Sequence, residues 1–310
     1  MDDLLFKQAL SENNLDKLMQ IPKADLHNHS LLGLRFSTFN KIYGGKVIPP
    51  AKRIEGLPGL DEYIFGEYSK YVKTTADIEN MLHEALKESI RDHVKILEAS
   101  MDLFLMSAYE NLSKAFEMIK NLRNQYAQSI NFKPELGIAK GLDINKVDQI
   151  IYDCIDSNIF ESIDLYGDER IQDFEKFKKY FEYARKKGLK RKVHIGEFSD
   201  AQSVRKAIDI LDMDEIQHGN SVAHDDYLID MVKERGIRLN MCPSSNLILG
   251  AVSDIKQHPI KKLFQKGVSL TVNTDDLLIF NKNVSEEFLM LYNNHIFDAD
   301  ELNEIRKNAL

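Results

Sequence analysis

The chain has 310 residues, 41 Lys and Arg against 49 Asp and Glu, a formal net charge of −8 and 43% hydrophobic side chains. The acidic balance excludes a nucleic-acid backbone as partner, since that affinity rests on Lys and Arg displacing counterions. The apolar fraction, with 15 Gly and 7 Pro and no low-complexity tract, excludes disorder and collagen-like structure. No apolar run reaches the roughly 20 residues that a bilayer demands, and the start MDDLLFKQALSENN carries acids where a secretory leader carries bases. A cytoplasmic protein with neither membrane nor nucleic acid as partner is expected. Cys154 and Cys242 are too few and too far apart for a disulfide framework or a Cys-based zinc site, and are expected as reduced, mostly buried thiols.

Residues 1–20 read as a helical segment, followed by the strand KADLHNH at 23–29. The connection from 31 to 80 is unusually long, with Gly44-Gly45, Pro49-Pro50 and Pro58-Gly59 ahead of the aromatic-rich YIFGEYSKY. Loops of that length in compact domains are commonly functional, so a lid insertion after the first strand is expected. Phe36, Phe39, Tyr63, Phe65 and Tyr68 either stack on a flat ligand or pack within the lid. Three fainter strands follow in HVKILEASMD, FKPELGIAKGLD and ESIDLYGDE. The second half then repeats a unit of helix, Gly and short β-rich run: the helical pattern ending at Gly188 leads into RKVHI, the one ending at Gly236 into IRLNM, the one ending at Gly267 into VSLTVN. Another unit runs from QSVRKAIDILD into EIQHG. Helices alternating with short apolar strands imply a parallel sheet. With eight strands and no G-x-G-x-x-G after the first, the pattern predicts a closed TIM (β/α)8 barrel rather than an open sheet, as one domain over residues 1–310.

His27 and His29 stand two apart on one strand and so project from one face, where they can share an ion. His194, His218, Asp275 and Asp276 lie at the carboxyl ends of other strands, the end where a barrel of this kind carries its active site. Glu197 follows His194 by three residues. Burying so many ionisable groups without a cation is costly. Three imidazoles with one carboxylate and an open position match a catalytic zinc environment. The remaining histidines, His83, His93, His224, His258 and His295, fall in helical or loop contexts and are assigned no function.

The strings PKADLHNH, VHIGE, IQHGN, NMCPSSN and TVNTDD, in that order from Pro22 to Asp276, resemble the successive signatures of the adenosine deaminase family of metal-dependent amidohydrolases. The resemblance implies His27, His29, His194 and Asp275 as ligands of one Zn2+ per chain. It implies Glu197 as proton donor to the purine ring nitrogen N1, His218 as the residue that orients and helps deprotonate the attacking water, and Asp276 as the acid contacting N7. The backbone amide of Gly167 then faces N3, with His29 beside the substrate, while Asp164 and Glu169 have supporting roles. The activity implied is hydrolytic deamination of adenosine or a related 6-aminopurine to the 6-oxo product and ammonia.

The sequence departs from the family where nucleoside-specific members carry an acid two positions after the second metal His, because Leu31 stands there and cannot accept a hydrogen bond from a ribose hydroxyl. The alternatives are therefore a deaminase of another aminated heterocycle, whether free base, modified purine or pterin, and an ester or lactone hydrolase of the same superfamily. Two-metal members commonly bridge their ions with a carboxylated Lys on the fourth strand, which ESIDLYGDE lacks. A purine-binding protein without catalysis would have no need of the full polar set.

Overall fold

A computed structural model describes residues 1–310. Its sheet comprises β1 (Lys23–His29), β2 (Val94–Asp102), β3 (Asn131–Ala139), β4 (Ser162–Tyr166), β5 (Lys190–Ile195), β6 (Glu215–His218), β7 (Arg238–Met241) and β8 (Leu270–Val272). Each strand pairs in parallel with the next in the chain, which is the expected (β/α)8 barrel. The last seam is closed mainly beyond the end of β8. Asp275 N–H donates to His27 O at 2.9 Å and His29 N–H to Asp275 O at 3.3 Å, while Leu26 N–H donates to Asn273 Oδ1 at 2.8 Å. The residues that complete the ring are thus among those singled out for chemistry.

The strands alternate, but with apolar side chains outward and polar ones inward. Leu97, Ala99 and Met101 of β2, Leu136 and Ile138 of β3, Ile163 and Leu165 of β4, and Val193 and Ile195 of β5 belong to the main apolar core with the surrounding helices. Between them, Glu98, Glu135, Ser162, Asp164, Lys192, Gln217, Asn240 and Thr271 are buried, and all but Asp164, which bonds His194, are linked to one another inside the barrel. Lys192 Nζ pairs with Glu98, Glu135 and Glu215, and Asn240 Nδ2 donates to Glu215 Oε2 and Gln217 Oε1, both at 2.8 Å. This ionic layer forms a floor beneath the mouth.

The outer helices follow from pattern and caps. Thr75–Arg91 buries Ile78, Met81, Leu82, Ala85 and Leu86, and starts at a reciprocal cap between Thr74 and Asp77. Gly188, at φ +79°, ends the helix Glu175–Lys186, a left-handed position that favours glycine. The helix Asp2–Ser11 sets Phe6 against Phe288 at 5.2 Å, and Arg306 from the helix Ala299–Asn308 bonds both Asp3 and Pro22 O. No helix is long and apolar enough to cross a membrane.

The connection between β1 and β2 folds into the helices Phe36–Ile42 and Gly56–Gly66 ahead of Thr75–Arg91. A second apolar cluster of Leu34, Phe39, Ile54, Leu60 and Tyr68 joins it to Leu249, Leu278, Ile279 and Phe280. Most of the aromatic residues pack inside this segment. Phe39 stacks on Tyr68 with ring centroids 5.0 Å apart, Tyr68 Oη donates to Leu31 O at 2.9 Å and Tyr63 Oη to Ile48 O at 2.8 Å. Phe65 is 71% exposed. Phe36, Phe39, Tyr63 and Tyr68 thus pack within the segment, whereas Phe65 does not.

Candidate active site

β1 contains one extra residue relative to β2 between Asp25 and Asn28, a bulge of the kind that re-aims side chains. Beyond it, His27 and His29 both point at the end of β5, where His27 Nε2 lies 3.0 Å and His29 Nε2 3.3 Å from His194 Nε2. Asp275 Oδ1 is 3.4 Å from His27 Nε2 and 3.3 Å from His29 Nε2. Four donor atoms from three separate chain segments therefore surround one point.

The hydrogen bonds behind these rings show what that point needs. His27 Nδ1 is 3.2 Å from Asn240 O, a carbonyl that can only accept, so the ring proton sits on Nδ1 and Nε2 carries a lone pair. His194 Nδ1 is 3.1 Å from Asp164 Oδ1, and the same reasoning leaves its Nε2 a lone pair. Two lone pairs facing each other at 3.0 Å repel unless a cation lies between them. Zinc bonds of about 2.0–2.1 Å in a tetrahedron place neighbouring donors about 3.3 Å apart, close to the spacing found. Burial works against a charge on His29, yet Asp276, Asp275 and Asp102 together push its pKa up to about 10; the site favours positive charge here. The donor set fits a metal centre, its rings oriented by carbonyl and carboxylate partners.

The positions are held at some cost. Asp275 and His218 adopt left-handed backbone conformations, φ +60° and +68°, each worth about 1–3 kcal/mol of strain in a non-glycine residue. His218, at the end of β6, sets Nε2 3.6 Å from Glu197 Oε2 and 3.9 Å from Asp275 Oδ2. Glu197 hangs on the turn after β5, which is clamped by one carboxylate. Glu169 accepts the N–H groups of Gly196 and Glu197 at 3.0 Å, Phe198 at 3.2 Å and Ser199 at 2.7 Å. Lys140 and these amides hold Glu169 ionised against its burial. Glu197 itself is pushed well above the carboxylate range, by burial first and then by Asp275 and Glu169, with the Asn246 hydrogen bond opposing.

Asp276 is buried with Oδ1 unpartnered, and burial raises its pKa. It joins His29 and Asp275 in a group whose ligand atoms lie within 4.8 Å of one another. Gly167 follows β4 at φ +96°, and Lys140 Nζ donates to its carbonyl at 3.3 Å and to His194 O at 2.7 Å. All eight singled-out residues thus lie on the ends of β1, β4, β5 and β6 or the turns after β5 and β8. Asp164 stands behind His194 and Glu169 behind the turn that carries Glu197.

Three participants were not foreseen. Lys140 lay unmarked in FKPELGIAKGLD. Asn246 closes the string NMCPSSN, in which the resemblance implies no role for it. His258, set aside with the non-functional histidines, instead lies buried two hydrogen bonds behind Glu197; a lone His before a Pro in a loop carries no periodic signal to place it. Cys154 and Cys242 are free and buried as expected, and Cys242 Sγ lies 3.3 Å from His27 Nδ1.

The family model described as adenosine deaminase matches residues 46–310. A Treponema pallidum protein named "Putative adenosine/adenine deaminase" is 40% identical over 270 residues, covering 86% of this chain and 89% of its own. The crystal structure of an adenine deaminase from Arthrobacter aurescens superposes with a TM-score of 0.81 at 21% identity, covering 93% of this chain and 92% of that one. An amidohydrolase from Burkholderia ambifaria, solved with bound Zn, gives a TM-score of 0.79 at 20% identity over 96% and 86% of the two chains. At these identities the two structural likenesses speak for the fold.

Proposed function

This chain belongs to the adenosine deaminase family, and from that premise we propose that it is a hydrolase that deaminates adenosine or a related 6-aminopurine, with one zinc ion per chain held by His27, His29, His194 and Asp275. The observation that carries the reading is the pair of imidazole lone pairs, His27 Nε2 and His194 Nε2, facing each other at 3.0 Å beside a Glu197 kept protonated by burial. His27, His29, His194 and Asp275 would hold a divalent cation there, whose Lewis acidity would make hydroxide available near neutral pH.

The chain's own residues then have defined tasks. Glu197 gives its proton to N1 as the oxygen nucleophile adds to C6, so the electrons displaced into the ring are taken up as a N–H bond. His218 orients that nucleophile. Asp276, held protonated by burial, donates to N7, which has only a lone pair to offer. The Gly167 amide faces N3. As the tetrahedral carbon collapses, the proton of the added hydroxyl passes to the amino nitrogen, the C6–N bond breaks, and ammonia leaves the 6-oxo purine behind. Were Asp275 neutralised by a bound cation, burial and the carboxylate of Glu169 would remain to keep Glu197 neutral.

Leu31 favours a second reading in which the free base is preferred over the nucleoside, because its side chain offers no acceptor to a ribose hydroxyl. The test is ammonia release from a panel of adenine, adenosine, N6-substituted adenines and aminopterins, with metal content measured on the same preparation. Turnover of one 6-aminopurine at about one zinc per chain is expected. Two metals per chain with esterase activity and no ammonia would overturn the proposal.

A further inference from the structure

Behind Glu197 and His218 runs a chain of buried polar groups that the roles above do not use. Ile260 N–H donates to His258 Nδ1 at 3.2 Å, so that nitrogen is an acceptor and the ring proton of the neutral imidazole lies on Nε2. Burial pushes the His258 pKa down to about 3, with His218 adding to the shift, and the ring is neutral at cellular pH. Nε2 lies 2.9 Å from Asn246 Oδ1. The amide is therefore fixed with its oxygen toward His258, since the opposite orientation would set two donors against each other.

Both N–H groups of Asn246 are then directed forward, one to Glu197 Oε1 at 2.6 Å and one to His218 Nδ1 at 3.2 Å. Asn246 is fully buried and His258 is 4% exposed, so these bonds are shielded from bulk solvent. We propose that His258 and Asn246 are positioning residues which set the tautomer of His218 and the protonated oxygen of Glu197. An acceptor at His218 Nδ1 puts the imidazole proton on Nε2, the nitrogen that faces Glu197 Oε2 and Asp275 Oδ2. An acceptor at Glu197 Oε1 leaves the acidic proton on Oε2. The inference rests on the reading of Glu197 and His218 given above, and it refines it: His218 meets the incoming oxygen as an N–H donor, so it orients the nucleophile and does not take its proton.

The test combines kinetics with a direct view of the tautomer. In zinc-loaded protein labelled with 15N-histidine, long-range 1H–15N correlation spectra are expected to show His218, identified by its loss in His218→Asn, as the Nε2–H form. His258→Phe removes the donor to Asn246 and should shift His218 away from that single tautomer, with kcat falling about 10-fold or more while KM and zinc content hold. His258→Gln returns an N–H where Nε2 was and should recover most of kcat. Asn246→Asp, isosteric but without N–H groups, should lose about 10²-fold in kcat. A wild-type His218 in the Nδ1–H form overturns the inference, and so does a His258→Gln enzyme as slow as His258→Phe. If His258→Phe does not fold, the wild-type spectrum and Asn246→Asp still decide. If the wild-type enzyme deaminates no aminopurine, the proposed function fails, while the spectra still decide the relay.

Discussion

For single side chains, the deciding quantity in this molecule is where a proton sits. Asn240 O and Asp164 accept hydrogen bonds from the Nδ1–H groups of His27 and His194 and so turn both Nε2 lone pairs toward one point. Asp275→Ala removes the only carboxylate in contact with both His27 and His29 and is expected to lower metal content; elemental analysis showing full zinc would end its ligand role. Glu197→Gln keeps the shape but not the transferable proton, so metal content should hold while turnover drops about 10²- to 10⁴-fold. A different buried acid, Glu287, reports on stability. Burial pushes its pKa up from 4.5 to about 8, with the Ser244 hydrogen bonds opposing. The folded protein then holds a proton that the unfolded chain releases, so stability declines as pH rises from about 4.5 to about 8 and levels off above. Glu287→Gln should unfold at a higher temperature than wild type at pH 8.5, with the difference fading toward pH 4.5. A constant difference across that range would mean the carboxyl does not titrate as described.

For elements, the turns after the strands carry the precision. The turn after β5 must bring Glu197 back over His194, and Gly196 makes this possible at φ +82°, where an added Cβ would meet Ser221 Oγ and Val204 Cγ2 at 2.8 Å. Gly196→Ala combines left-handed strain with that clash and should destabilise the fold by about 2 kcal/mol or more, with a loss of kcat; denaturant unfolding that matches wild type would refute it. The segment KADLHNH was recognisable because its length, apolar content and bounding residues coincide with β1, and the glycine stops at 188, 236 and 267 marked helix ends correctly because local backbone conformation demands them. The bulge in β1 and the four-fold grip of Glu169 on the β5 turn could not be read the same way. Both depend on a neighbouring strand or loop far away in the chain, and neither leaves a periodic trace. The aromatic run after β1 misdirects for a related reason: rings that suit a flat ligand suit each other equally well, and Phe39 and Tyr68 found each other.

At the level of the whole molecule, the barrel encloses an ionic floor rather than an aliphatic one. Lys192 is fully buried among Glu98, Glu135 and Glu215; removing it takes the one cation from Glu135 and leaves Glu98 and Glu215 only their partners at the barrel rim, Lys133, Lys190 and Arg238. Lys192→Met is expected to cost about 3–5 kcal/mol despite its added apolar character, because breaking a buried ionic set leaves uncompensated charge; equal stability by urea unfolding would show the acids to be neutral without it. The sequence by itself determined the βα alternation, the number of strands and the identity of the ligand candidates, because helix caps, strand length and strand-end His and Asp residues are properties of short windows. Only the tertiary structure decided which face of each alternating strand looks inward. It also decided that Asp275 closes the ring onto His27, and that Asn246 and His258 stand behind Glu197. Those facts arise when β8 returns to β1 and distant turns meet at one end of the barrel, and a contact between residues hundreds of positions apart has no signature in either residue's neighbours.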